Sequence, residues 1–161
     1  MISKVLEQAI NDQIQEELYS AYLYLAMSQY SESKNLKGFA HWLKAQYQEE
    51  TSHAFKFMEH LQDRNGKVVL KAIEAPPVEY GSPVSVFEKV LAHEQHITDR
   101  ISKLYELALA EKDYPAQILL QWFINEQVEE EASATFILEK LKLVPENSGG
   151  LFYMDKELGG R

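Results

Sequence analysis

Four long stretches of this chain repeat apolar residues at steps of three and four, and each stretch carries a carboxylate near its middle on that same apolar face. Steps of three and four mark one side of a helix. Glutamate is rarely fully buried unless something pairs with it. A chain that buries four such faces together must therefore provide for four acids in its core.

The first stretch runs from about Lys4 to Glu32, with inward residues Ile10, Ile14, Glu17, Ala21, Tyr24 and Ser28. A short link at Ser33-Lys34-Asn35 leads to the second, from about Leu36 to Arg64, with Phe39, Leu43, Gln46, Glu50, His53, Phe57 and Leu61. Asn65-Gly66 stops it, because either residue tolerates the left-handed conformation of a helix end. The third stretch, from about Pro83 to Ala110, presents Phe87, Val90, Leu91, Glu94, Ile97, Ile101, Leu104 and Ala108. Ser82 is the expected N-cap, with Pro83 at the first helical position. Asp113 caps the fourth, which runs to about Leu143 and presents Leu119, Phe123, Gln127, Glu130, Ala134, Ile137 and Leu141. Pro115 sits in its first turn, where a missing N–H costs little.

The connections set the topology. The first and last links are short, so each flanking pair of helices forms an antiparallel hairpin. Between the hairpins, Lys67 to Ser82 contains Ala75-Pro76-Pro77 and Gly81-Ser82-Pro83, which favour extended chain. Such a segment reaches roughly 50 Å at about 3.3 Å per residue. A helix of this length spans roughly 40–45 Å. The expectation is two hairpins joined by one long crossover; a simple up-and-down bundle with a floppy loop fits the prolines less well. After Asn147-Ser148-Gly149-Gly150, residues Leu151, Met154 and Leu158 share one face of a short fifth helix, too short to persist in water unless docked. The predicted fold is all-α in one domain over 1–161, with the bundle over about 4–143 and the tail helix over about 148–158.

Composition narrows the chemistry. There is no cysteine, which excludes disulfides, iron–sulfur clusters and thiolate zinc sites. The net charge of −9 repels nucleic-acid phosphate and attracts cations. No run approaches the roughly 18 apolar residues of a membrane span. No apolar core follows Lys4, so no secretion signal is expected and a cytoplasmic location is.

The central acids lie at matching heights. Glu17 is 13 residues past Lys4, Glu50 is 14 before Arg64, Glu94 is 11 past Pro83 and Glu130 is 13 before Leu143. Four converging carboxylates repel one another, and multivalent cations relieve that repulsion. Glu50 and His53, three apart, aim at a common ion from adjacent turns. Four glutamates and one imidazole suit iron, manganese or zinc rather than copper(I). The arrangement resembles that of di-iron carboxylate bundles, whose usual form has two Glu-x-x-His pairs. Here the second pair is replaced by Gln127-Val128-Glu129-Glu130. Glu49, Glu126, Glu129, Glu130 and Glu131 form a further acidic group: Glu129-Glu130-Glu131 reads equally as a solvated face, but Glu126 and Glu130, like charges four apart, suggest a third cation position. Tyr24 is either a core aromatic with a bonded hydroxyl or a group that holds a ligand or donates an electron. Trp122 reads as packing, and His41, His60, His93 and His96 as surface or packing histidines. His93-Glu94-Gln95-His96 lacks the spacing of a zinc protease.

Asn11-Asp12-Gln13-Ile14-Gln15-Glu16-Glu17-Leu18-Tyr19-Ser20, Gln48-Glu49-Glu50-Thr51-Ser52-His53, Asp113-Tyr114-Pro115, the run Gln121 to Glu131 and the closing Asp155-Lys156-Glu157-Leu158 together resemble prokaryotic non-haem ferritin across the whole chain. The resemblance implies a ferritin-like bundle, a homo-oligomeric shell of 24 subunits and a ferroxidase centre within each bundle. It implies that Glu17, Glu50 and His53 hold a first iron. Glu50 would bridge to a second iron held by Glu94 and Glu130, with Gln127 beside it. Glu49, Glu126 and Glu129, with Glu130, resemble a third iron site, and Tyr24 a tyrosine near the centre. The tail helix would line channels at four-fold axes. Fe(II) and O2 or H2O2 would be the substrates. Haem-binding relatives carry the second Glu-x-x-His and a methionine where this chain has Ser52, so no haem is expected. Rivals are a rubrerythrin-like di-iron oxidase or peroxidase, a DNA-binding mini-ferritin with its site between subunits, and a helical scaffold with no reason to bury four acids.

Overall fold

A computed structural model describes residues 1–145 and 148–160. Its helices are α1 (Lys4–Ser33), α2 (Lys37–Asp63), α3 (Pro83–Ala110), α4 (Tyr114–Lys142) and α5 (Gly149–Leu158), and there is no strand among the described residues. Asn147, at the expected start of the tail, lies outside them.

Local chemistry starts α1, α3 and α4. Ser3 Oγ accepts from the Leu6 N–H, Ser82 Oγ from Ser85 and the Asp113 carboxylate from Ala116. Pro83 and Pro115 occupy the first turns of α3 and α4. The first three helices end alike. Asn35, Asn65 and Lys112 take positive φ of 59°, 56° and 54°. The amide after each one reaches back: Leu36 to Ser31 O at 3.0 Å, Gly66 to Leu61 O at 2.7 Å, Asp113 to Ala108 O at 2.9 Å. This left-handed turn satisfies the last carbonyls and reverses the chain.

Between α2 and α3 the chain runs without helix or strand alongside α1, pinned as it goes. Asn11 Nδ2 donates to Lys67 O and Asn11 Oδ1 accepts from the Val69 N–H. Lys71 pairs with Asp12, Gln15 Nε2 donates to Ala72 O, and the Tyr30 hydroxyl bridges Gly81 O and N. The segment thus travels from one end of α1 to the other. Val68 packs at the α2 C-terminal end and Tyr80 at the α2 N-terminal end. It is therefore a true crossover, and α3 runs parallel to α2 rather than antiparallel to it.

The core divides in two. One apolar cluster, around Met27, Phe39, Trp42, Leu43, Phe87, Val90 and Leu138, fills the crossover's far end. The other, around Leu6, Ile10, Phe57, Leu61, Ile101, Leu120 and Phe123, fills the opposite end. The expected stripes lie inside, with a shift at the start of α4. Leu120 is buried there and Leu119 is half-buried, so the inward row runs Ala116, Leu120, Phe123. A step of three or four from Phe123 allows either leucine, and the lower cluster takes the one in line with Ala116. Leu91 likewise is half-buried.

The tail helix docks on its own bundle. Met154 and Leu158 are buried, and Leu151 packs against the same cluster. The α2 N-terminus has no cap of its own, since Leu36 supplies no side-chain acceptor. Asp155 of α5 provides it: Oδ1 accepts from the Gly38 N–H at 2.8 Å and the Phe39 N–H at 3.1 Å. A carboxylate there also meets the positive end of the helix dipole. The approach requires a glycine, because a Cβ on Gly38 would lie 1.6 Å from the Asp155 carbonyl oxygen. Gly38→Ala is therefore expected to release α5 and remove a cap worth about 1 kcal/mol. Amides of residues 149–158 should then exchange rapidly while α1 to α4 stay protected. Gly149→Ala, where a Cβ meets nothing within 4 Å, should leave docking intact. Protection of α5 in Gly38→Ala would refute this account of the dock.

Candidate metal centre

Between the two apolar clusters lies a polar layer. Glu17 from α1, Glu50 and His53 from α2, Glu94 from α3, and Gln127 and Glu130 from α4 are all buried there. Each sits at the middle of its helix, so the hairpin turns and the crossover bring them to one level. Among the described residues, two groups offer ligand atoms within 4.8 Å of one another: Glu17, Glu50 and His53, and Glu49, Glu126 and Glu130. His53 connects the groups. Its Nδ1 lies 3.4 Å from Glu50 Oε2 and its Nε2 3.8 Å from Glu126 Oε1. Its ring makes T-shaped contacts with Trp122 and Phe123, at centroid distances of 5.5 and 5.7 Å.

Glu17, Glu50, Glu94 and Glu130 are each pushed toward the neutral form. Burial raises Glu17, and the Glu50 charge raises it further. Burial raises Glu50, reinforced by Glu94 and Glu130. Burial raises Glu94 against the opposing bonds from Tyr24 and Gln127. Glu130 is pushed up to about 7, by burial first and then by Glu94 and Glu49. Glu17 Oε2 is buried with no hydrogen-bond partner. Such an oxygen is costly in a dry interior unless a cation or proton meets it. The donor set is hard oxygen with one imidazole, which fits iron, manganese or zinc.

The remaining residues singled out from sequence fall as follows. The Tyr24 hydroxyl donates a short hydrogen bond to Glu94 Oε1, and burial followed by the Glu94 charge raises its own pKa. Gln127 Nε2 donates to Glu94 Oε2 at 3.1 Å and to the Glu94 carbonyl at 3.2 Å. Glu129 is exposed and stands outside both groups. Trp122 is 38 % exposed, with the Lys56 ammonium 4.2 Å from its ring centre. His93 is bonded to Ser20 Oγ at 2.7 Å, and burial followed by the His96 charge lowers it to about 4.

Sequence reading gave no role to Gln13 or Gln46. Gln13 Nε2 donates to Glu17 Oε1 at 2.8 Å, and Gln46 Nε2 donates to Glu130 Oε2 at 2.8 Å. Gln13 stands one turn before Glu17, a spacing that signals it. Gln46 stands one turn before Glu50 yet bonds across to α4, which no spacing reveals.

A family model described as a ferritin-like domain matches residues 7–144. The chain belongs to the ferritin-like family. It is 43 % identical to the bacterial non-heme ferritin of Bacteroides fragilis over 161 residues, covering all of both chains. It is 36 % identical to that of Staphylococcus aureus, covering all of this chain and 97 % of the relative. Among solved structures, an open-pore ferritin from the hyperthermophilic archaeon Archaeoglobus fulgidus superposes with a TM-score of 0.99 at 48 % identity, covering 100 % of this chain and 99 % of that one. An engineered closed form of the same archaeal ferritin gives 0.98 at 48 % identity, covering 100 % and 98 %. No helix among the described residues of this ferritin chain is long and apolar enough to cross a membrane.

The buried acids link stability to pH with a definite sign. Glu130 holds its proton up to about 7 when folded, against an ordinary 4.5. That contribution is fully present below the ordinary value and is lost as pH rises through the folded one. Glu17, Glu50 and Glu94 act in the same direction. Chelator-stripped protein is expected to lose thermal stability between about pH 5 and pH 8, with Zn(II) restoring it at the upper end. Glu50→Gln should flatten that slope and raise metal-free stability by on the order of 1 kcal/mol. A metal-free stability that rises across this window would contradict the assigned burial.

Proposed function

We propose that this chain stores and detoxifies iron by oxidising Fe(II) at a di-iron ferroxidase centre inside each bundle, within a hollow homo-oligomeric shell of 24 subunits in the cytoplasm. Membership of the ferritin-like family supports iron storage itself. The observation that carries the ferroxidase reading is the buried, unpartnered Glu17 Oε2 beside Glu50 and His53. Such an oxygen needs a proton or a cation, and a cation placed among Glu17, Glu50 and His53 would meet all three groups at once.

In this reading Glu17, Glu50 and His53 receive one Fe(II), and Glu50, Glu94 and Glu130 a second. Binding displaces the protons that burial has kept on the carboxyls. Each Fe(II) gives up one electron. Two together supply the pair that reduces O2 to peroxide or H2O2 to water. Carboxylates favour the Fe(III) formed, because the higher charge offsets more of their mutual repulsion. Glu49 and Glu126, sharing Glu130, form a third position, with the exposed Glu129 next to Glu130 in the chain. Fe(III) hydrolyses and collects as ferric oxide in the cavity. Large apolar side chains left outside the chain, including Leu70, Ile118, Phe152 and Tyr153 at 68–72 % exposure, support burial between subunits.

Aerobic loading with Fe(II), followed by particle sizing and iron analysis, tests the reading. A shell of about 24 chains holding far more iron than its binding sites is expected. A small oligomer that oxidises iron and stops at its site capacity would indicate a rubrerythrin-like oxidase instead. Glu50→Ala and His53→Ala should assemble normally and oxidise Fe(II) at least about 10-fold more slowly in stopped-flow absorbance. Undiminished rates in both would remove the ferroxidase assignment.

A further inference from the structure

Three buried glutamines ring the centre, and each gives its side-chain N–H to a different carboxylate: Gln13 to Glu17, Gln46 to Glu130 and Gln127 to Glu94. A glutamate can bind a cation through one oxygen or clasp it with both. A glutamine that holds one lone pair of one oxygen and fixes the carboxylate's rotation favours one-oxygen binding through the other. At Glu17 the division is complete: Gln13 takes Oε1, and Oε2 is buried without a partner.

The two ends of a glutamine amide are nearly the same in shape and opposite in hydrogen-bonding character. A lone Gln13 would be free to present its oxygen to Glu17 whenever that carboxyl is protonated. Arg100 removes the choice. A guanidinium has donors only, and its Nε donates to Gln13 Oε1 at 3.2 Å. The N–H end must then face Glu17. Arg100 is itself held on the rim by Glu16, Nη1 to Oε1 at 3.4 Å, and Glu16 also pairs with His96 at 3.4 Å. A chain of fixed contacts therefore runs from the α1–α3 surface to the buried acid.

We propose that Gln13, oriented by Arg100, is a positioning residue that restricts Glu17 to binding the first cation through Oε2 alone. The inference rests on the ferroxidase reading above. One-oxygen binding keeps a coordination position open on that cation, and the oxidant needs such a position. A clasping Glu17 would fill it. Gln46 exerts the same restraint on Glu130 from the other side of the layer, by holding Oε2. Outer groups that orient ligands in this way commonly matter as much as the ligands themselves.

Co(II) titration of the assembled, metal-stripped protein tests this without turnover, because cobalt's visible bands are strong in low-coordinate sites and weak in octahedral ones. The first equivalent per chain is the one to read. Wild type should give strong bands. Gln13→Leu, similar in size, frees Oε1, so the absorbance per bound cobalt should fall several-fold at unchanged stoichiometry. Arg100→Leu, at a partly exposed position that leaves the core packing alone, should shift the same way by less. Arg100→Lys, again a donor with no acceptor, should restore the wild-type spectrum. If Gln13→Leu fails to assemble, Arg100→Leu decides alone. Identical spectra at equal bound cobalt in wild type and Arg100→Leu would overturn the proposal while leaving the metal centre in place. Failure of wild type to bind cobalt at the buried acids would instead overturn the metal centre itself.

Discussion

Holding four carboxylates in a dry layer is the constraint around which this bundle is arranged. Each loses its hydration, and each feels its neighbours through a medium that screens them poorly. Both effects drive the acids toward protonation, as the raised values at Glu17, Glu50, Glu94 and Glu130 record. The layer persists because apolar clusters close it above and below and because amide, phenol and imidazole groups meet the carboxyl oxygens. What those groups leave unmet is an opening for a cation. Fold stability and cation affinity thus draw on the same unfavourable charge, and a bound ion relieves it.

The helices supply the layer in two halves. The α1–α2 hairpin brings Glu17, Glu50 and His53, and the α3–α4 hairpin brings Glu94, Gln127 and Glu130. The crossover decides how the halves meet. By running along α1 from Asn11 to Tyr30, it starts α3 at the end where α2 starts. Glu94 then faces Tyr24 and Gln127, and Gln46 reaches across to Glu130. The same layer is tied to the surface on one side, through Gln13, Arg100 and Glu16. The tail serves the bundle too, since Asp155 caps the otherwise uncapped start of α2.

Much of this was legible in the residues. Periodicity located the helices to within a residue or two. Ser82, Asp113 and Asn65 marked their ends, and the prolines between α2 and α3 called for an extended crossover. The mid-helix acids and His53 stood out because their polarity conflicts with the rows they occupy. Leu119 in place of Leu120 shows the limit: two adjacent leucines both satisfy a helical step, and only the facing helices choose between them. The roles of Gln13 and of the inward Gln46 escaped notice for a different reason. A glutamine on an inward row carries no charge to raise suspicion, and its value lies in a partner that may stand on another helix.

What the sequence determined by itself was set within single helices: their spans, the Ser82 and Asp113 caps, most of each buried face, and the height at which each acid enters the core. These follow from a repeat of about 3.6 residues per turn and from the local bonding of cap residues. What only the tertiary structure decided was which side chains meet across helices: Gln46 with Glu130, Tyr24 with Glu94, Arg100 with Gln13, and Asp155 with Gly38. Those contacts depend on axial offset, rotation and rotamer at each interface, and the periodicity of one helix carries no information about the rotation of its neighbour.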